Sequence, residues 1–229
     1  MERRGFIKYC AASVAALGSG ELAADARVQL YSKATLVDEK GAPLRASAIP
    51  VHRNLIFHYP FAATPCFLLN LGKPVKSAQL KTGSGEVYEW KGGVGATRSV
   101  VAYSAICAHR LSYPTKDISF ISFRSEKSAR NRIANVIHCC SEHSQYDPAE
   151  GARVVAGPAP QPLAAIVLEW DSAKDEIYAV GTLGGEMFAE FFDKFGFRLQ
   201  LEHGAPRAAV SGTCMVQELD NYCRQQVKC

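Results

Sequence analysis

No uninterrupted apolar run in this chain of 229 residues approaches the ~20 that span a bilayer, and no block of lysine and arginine marks a strongly basic face. The 26 basic and 22 acidic residues leave a net charge of +4, spread along the chain, which makes no case for a nucleic-acid partner. No nucleotide-binding loop and no nucleophile–base pair stands out, so catalysis on a substrate is not expected of this chain. What is present is apolar content, 48%, enough for one full core with additions, and eight cysteines.

Two of those cysteines come with histidines. Cys107-Ala108-His109 and Cys140-Ser141-Glu142-His143 each place a thiol and an imidazole within one tight loop, with residues 110–139 between them. Two loops that aim all four side chains at one point make a closed site of two sulfurs and two nitrogens. Zinc accepts such a set, but structural zinc usually draws like ligands from each local pair, C-x-x-C with H-x-x-x-H. Here each half supplies one of each. A Rieske [2Fe–2S] centre needs that mixture, because two thiolates hold one iron and two imidazoles the other. A disulfide between Cys107 and Cys140 is the remaining reading.

C-x-H followed by C-x-x-H resembles the Rieske family, and segments downstream agree with it. Ser144 and Tyr146 follow the second pair closely, and Gly157-Pro158-Ala159-Pro160-Gln161-Pro162 is similar to the proline-rich loop that covers the cluster in that family. The resemblance implies an all-β fold of stacked antiparallel sheets with a cluster-binding subdomain, here followed by a C-terminal helix and tail. It also implies one [2Fe–2S] cluster per chain on Cys107, His109, Cys140 and His143, with Ser144, Tyr146, Gly157, Pro158 and Pro160 around it. In the family a serine hydroxyl bonds a bridging sulfide and a tyrosine hydroxyl a cysteine sulfur, and both raise the potential.

The departures from the family carry information. Its tyrosine stands four residues after the second histidine, whereas Tyr146 is three after His143. The two cysteines that bridge the loops in the cytochrome bc complexes are replaced by Ser112 and Glu142. At the loop tip, where quinol-oxidising members carry leucine, this chain has Arg110, a cation better suited to a polar protein surface than to a quinone ring.

The start of the chain reads as an address. Arg3-Arg4-Gly5-Phe6-Ile7-Lys8 is similar to the twin-arginine export signal, and a short, weakly apolar stretch (9–17) and the small-x-small pattern Ala24-Asp25-Ala26 follow. The expectation is a signal over residues 1–26 and a periplasmic mature protein from about Arg27, with membrane contact only if the signal stays uncleaved. This route suits an iron–sulfur protein, which must fold around its cluster where iron and sulfide are supplied and then cross already folded. Cys10 leaves with the signal. Among Cys66, Cys139, Cys214, Cys223 and Cys229 a tail disulfide is plausible in an oxidising compartment, though the pairing is not legible. Cys139 reads as a buried thiol that strand alternation points away from the ligand Cys140.

Residues 27–185 read as the Rieske domain, with its cluster-binding part at about 104–162. Strands are expected at 28–31, 34–37, 54–59, 66–71, 99–105, 118–123 and 135–139, and a closing hairpin at 163–170 and 176–181. Glu86 to Gly95 is expected as a loop, and Arg124 to Arg132, with Arg130, as a solvated one. Residues 186–229 form a helical extension: Met187, Phe188, Phe191, Phe192 and Phe195 recur at helical spacing, on a face that either packs on the domain or docks a larger subunit.

Over about Leu55 to Gly185 the pattern is similar to the small Rieske subunit of arsenite oxidase. The shared features are the Pro-Cys strand, the Val-Ala-Tyr-Ser lead-in, Tyr-Asp after the second loop and the closing Val-Gly. That resemblance implies an electron relay with two partners, a larger catalytic redox subunit such as a molybdenum-containing one and a cytochrome c or similar carrier. The alternatives are a Rieske subunit of a quinol–cytochrome c reductase and a zinc-stabilised exported binding module.

Overall fold

Runs of β-branched, leucine and aromatic residues between glycine and proline turns build strands throughout this chain. The computed structural model describes residues 28–128 and 132–229; the twin-arginine segment, Arg27 and Arg130 lie outside the described residues. The first part holds β1 (Gln29–Val37), β2 (Leu55–His58), β3 (Pro65–Asn70), β4 (Ala78–Lys81), β5 (Val87–Trp90) and β6 (Val100–Ser104). The middle holds β7 (Ile118–Ser119), β8 (Ile121–Arg124), β9 (Val136–Cys139), β10 (Ser144–Asp147) and β11 (Arg153–Ala156). Then come β12 (Ala165–Asp171), β13 (Glu176–Leu183), α1 (Phe188–His203), β14 (Gly212–Met215), β15 (Gln217–Glu218), α2 (Leu219–Tyr222) and β16 (Gln225–Gln226).

The main sheet has eight strands in the order β14-β1-β13-β12-β6-β3-β2-β15, and a second sheet of four runs β11-β10-β9-β8. Alternation on the central strands sends Phe67, Leu69, Val101 and Tyr103 to one face and Cys66, Leu68, Val100 and Ala102 to the other. Both faces are therefore covered, which is why β3 reads as a continuous apolar run. The first face continues into the second sheet through Ile121, Phe123, Ile137 and Tyr146. The buried Tyr103 hydroxyl ties the two layers by donating to the Pro148 carbonyl at 2.7 Å.

The mostly β architecture with a C-terminal helix agrees with the sequence reading, and the closing hairpin forms as β12 and β13. Four details differ. The two short strands expected at 28–31 and 34–37 are one, β1, with an irregular register between Leu30 and Ala34. The glycine-rich stretch expected as a loop contains β5, whose Tyr88 and Trp90 are buried against β4. The expected strand 118–123 breaks at Phe120 into β7 and β8. The tail after α1 does not trail as a helical appendage, because β14 pairs with β1, β15 with β2 and β16 with β7.

Helix α1 buries Phe188, Phe191, Phe192 and Leu199 against Ala63, Ile106, Leu111 and Tyr113. Phe191 meets the Tyr113 ring edge-on at 4.9 Å between centroids, a favoured aromatic geometry. Lys194 Nζ donates to the Arg110 carbonyl at 2.8 Å. The phenylalanine face is thus packed on the domain, and what it packs on is the chain on either side of Cys107 and His109. Phe191→Ala should cost about 3–5 kcal/mol of unfolding free energy, measured by denaturant titration; a loss below about 1 kcal/mol would mean the helix is not held there.

Candidate metal centre

Strand β6 runs into the first loop, which closes on itself by Cys107 N–H to the Ser112 carbonyl and Leu111 N–H to the Cys107 carbonyl, both 2.9 Å. Leu111 sits at φ +60° to make that turn. Exposure rises along the loop from the wholly buried Cys107 through the part-exposed His109 to the exposed Arg110. The loop thus carries the chain from the core to the surface within four residues.

The second loop spans residues 140–143 and joins β9 to β10, which pair antiparallel with Cys139 opposite Ser144, His138 opposite Gln145 and Ile137 opposite Tyr146. Residues directly opposite share a face, and that face alternates along each strand. Ile137, Cys139, Ser144 and Tyr146 therefore lie on one side and His138 on the other. The first side looks at the first loop. The Tyr146 hydroxyl is 3.3 Å from the Cys107 sulfur and accepts the Ala108 N–H at 3.1 Å. Cys107 and Cys139 are both wholly buried in the same apolar cluster.

These contacts set the order of ionisation. The S–H of Cys139 bonded to its sulfur, then the Tyr146 hydroxyl and the N–H groups of His109 and Arg110, pull Cys107 down to about 6 against the opposing effect of burial. Cys139 is pushed up, first by the same hydrogen bond and then by burial. Cys107 is the readier thiolate of the pair, and thiolates are what bind metal.

On the far side of β9 the structure corrects one expectation. Cys140, expected as a metal ligand beside Cys107, is disulfide-bonded to Cys229, and the alternative bond between Cys107 and Cys140 does not form. The physical reason is strand alternation: β9 shares the phase of the core residue Ile137, so Cys139 points inward and Cys140 outward, the reverse of the expected phase. The tail that reaches Cys140 is held by an Arg124 guanidinium donating to the Val227 carbonyl and by Cys229 Sγ, 3.6 Å from both ring nitrogens of His138. Donor atoms of His138, Cys140 and Cys229 lie within 4.8 Å of one another. With the S–S bond intact neither of those sulfurs is a thiolate.

The other expected residues fall as follows. Nδ1 of His109 is buried without a hydrogen-bond partner, and so is the hydroxyl of Ser144. His143 takes a left-handed φ of +58° and is exposed, its ring 5.7 Å from that of His138. The loop tips meet through Arg110 Nε and Glu142 Oε1 at 3.7 Å. Gly157, at φ +86°, lies so close on the second loop that a Cβ there would stand 2.5 Å from the His143 carbonyl oxygen, so only glycine fits. Pro158 and Pro160 are exposed beyond it. Gln161 anchors that segment by accepting from Gly83 N–H at 2.7 Å and donating to the Gly185 carbonyl.

Two facing buried thiols, an unpartnered imidazole nitrogen and an unpartnered buried hydroxyl are groups left waiting for partners, since buried polar atoms are otherwise nearly always bonded. Two thiols and the His109 imidazole are three of the four ligands that a mixed-ligand [2Fe–2S] cluster takes; His143 turns instead toward His138 on the far side of β9. Sequence reading missed Cys139 as part of this group; the phase of β9, counted from its core residue Ile137, would have pointed to it. No family model matches the chain. Among solved structures it is similar to the soluble domain of the Rieske protein II from Sulfolobus acidocaldarius, with 26% identity over 68% of this chain and 82% of that one and a TM-score of 0.48.

The disulfide closes a long loop, its cysteines being 89 apart in sequence. Cys229→Ser should lower the unfolding free energy by up to about 4.5 kcal/mol on the chain-entropy model, measured by urea titration without reductant. An unchanged midpoint would show that the bond contributes nothing to the fold.

Proposed function

We propose that this chain is a one-electron carrier, the Rieske subunit of a periplasmic, arsenite-oxidase-like oxidoreductase. It would relay electrons between a larger catalytic subunit, such as a molybdenum-containing one, and a cytochrome c or similar carrier. The observation that carries this reading is the Tyr146 hydroxyl on the Cys107 sulfur beside a second buried thiol, with the unpartnered Ser144 hydroxyl directly across the strand pair. When bound, a [2Fe–2S] cluster with two imidazole ligands supplies one-electron chemistry at roughly −150 to +300 mV.

The chain's own residues account for the rest. Cys107 and Cys139 sit in the apolar core with Ile121, Ile137 and Ala108, which keeps water from the sulfur end. Tyr146 and Ser144 are placed to donate to sulfur, and such bonds raise a potential. His109, part-exposed in the first loop, gives the short route to a partner. The Arg110–Glu142 pair makes that tip polar, which favours a protein surface over a quinone ring.

Two features support export. The disulfide from Cys140 to Cys229 suits an oxidising compartment, and the amino-terminal sequence is similar to a twin-arginine signal. Among the described residues no helix is long and apolar enough to cross a membrane.

Electron paramagnetic resonance of the purified, dithionite-reduced protein tests the reading: the expected signal has an average g below that of four-cysteine clusters. A silent protein with one zinc per chain would contradict it. Tyr146→Phe should lower the midpoint potential by about 20–60 mV, the worth of one hydrogen bond in a one-electron couple. An unmoved potential would mean that the hydroxyl does not bond a ligand sulfur.

A further inference from the structure

We infer that His138, Cys140 and Cys229 form a latent zinc site, opened when a dithiol reduces the disulfide between the two cysteines. The site lies on the outward side of β9, away from Cys107, so it stands whether or not the Rieske reading does. Donor atoms of the three residues lie within 4.8 Å of one another, and the Cys229 sulfur is 3.6 Å from both ring nitrogens of His138. A tetrahedral zinc with Zn–N and Zn–S bonds of ordinary length sets a bound sulfur and nitrogen about 3.6 Å apart. That separation is present before any ion arrives.

The tail does not depend on the S–S bond for its position. Strand β16 pairs with β7 through Gln225 and Gln226, the Val227 N–H donates to the Ser119 carbonyl at 2.8 Å, and the Arg124 guanidinium donates to the Val227 carbonyl. The Ser128 hydroxyl donates to the main-chain oxygen of Cys229 at 2.8 Å. On the facing side, the Cys140 N–H donates to the Phe120 carbonyl at 2.6 Å, and His138 is fixed by pairing with Ser122 and Gln145. Once the bond opens, two thiols remain side by side next to an imidazole, with little freedom left to lose on binding an ion.

The dithiol gives two electrons and two protons to the S–S bond, which breaks into the thiols of Cys140 and Cys229 while the reductant becomes a disulfide. Zinc then displaces both thiol protons and takes two thiolates and one neutral imidazole. Cys140 and Cys229 are part-exposed, so reductant and ion reach them, and water fills the fourth position of the tetrahedron. The two thiolates cancel the charge of a divalent ion, which suits a site backed by the wholly buried His138. With the bond closed the site holds no zinc, since neither sulfur is then a thiolate.

The experiment measures zinc bound per full chain, by competition with a chromophoric chelator, before and after anaerobic reduction with a phosphine that is removed before zinc is added. Cys107 and Cys139 are free thiols in both conditions, so the difference reports Cys140 and Cys229. Reduction should add one zinc per chain, and cobalt(II) in its place should show the visible bands of a tetrahedral ion together with a thiolate charge-transfer band. Cys140→Ser and Cys229→Ser should gain none; the reduced parent lacks the crosslink too, so that loss reports the missing sulfur and not a loosened fold. His138→Gln should weaken the added site by more than about tenfold, the effect of losing an outer-sphere partner alone. Reduction that adds no zinc overturns the inference, as does a Cys229→Ser chain that gains as much as the parent. Iron content and the paramagnetic signal test the Rieske reading separately, and Cys229→Ser should leave both unchanged.

Discussion

The antiparallel register of β9 against β10 governs the chemistry of this protein. By setting Cys139 opposite Ser144 and Ile137 opposite Tyr146, it gathers a thiol, two hydroxyls and an apolar side chain on one face. That face then closes over Cys107. The pairing is well specified because one side is buried: a slip of β9 by a single residue would expose Ile137, wholly inaccessible to solvent, at the cost of its full burial. Hydrophobic packing thus decides which cysteine faces Cys107 and which faces away.

The two loops are secured by different means. The first is buttressed from outside by α1, whose Phe191 packs on Tyr113 and whose Lys194 caps the Arg110 carbonyl. The second is covered by the segment from Gly157, lying on the backbone of His143 and Ser144, and tethered behind by Cys229. The chain carries Ser112 and Glu142 in its two loops and ties the second loop to the tail through the disulfide. Electrostatics add the last link, since Arg110 and Glu142 join the tips at the surface.

Much of this was legible in the residues. The Cys-x-His pair, the hydroxyls of Ser144 and Tyr146, the Gly157 turn and the alternating strands all announce themselves by spacing and composition. Two things did not. The phase of β9 was ambiguous because His138, Cys139 and Cys140 are all residues that a core or a site can accept, so period alone could not choose a face; the structure chooses it through Ile137. The spacing to Tyr146 held the hint: it lies seven residues after Cys139 but six after Cys140, and a C-x-x-H register counted from Cys139 puts Glu142, not His143, at the histidine position. The tail was opaque for another reason, since β14, β15 and β16 are short strands that add to edges set far earlier in the chain, and such long-range pairings leave little local signature.

Mössbauer spectroscopy of the iron-57-enriched protein tests the central claim most directly. A Rieske-type cluster, with thiolates on one iron and imidazole on the other, predicts two inequivalent iron sites in equal amounts. On reduction the added electron should settle on one of them, the nitrogen-ligated site. Two equivalent sulfur-ligated irons, or a single tetrahedral metal with no iron signal, would contradict it.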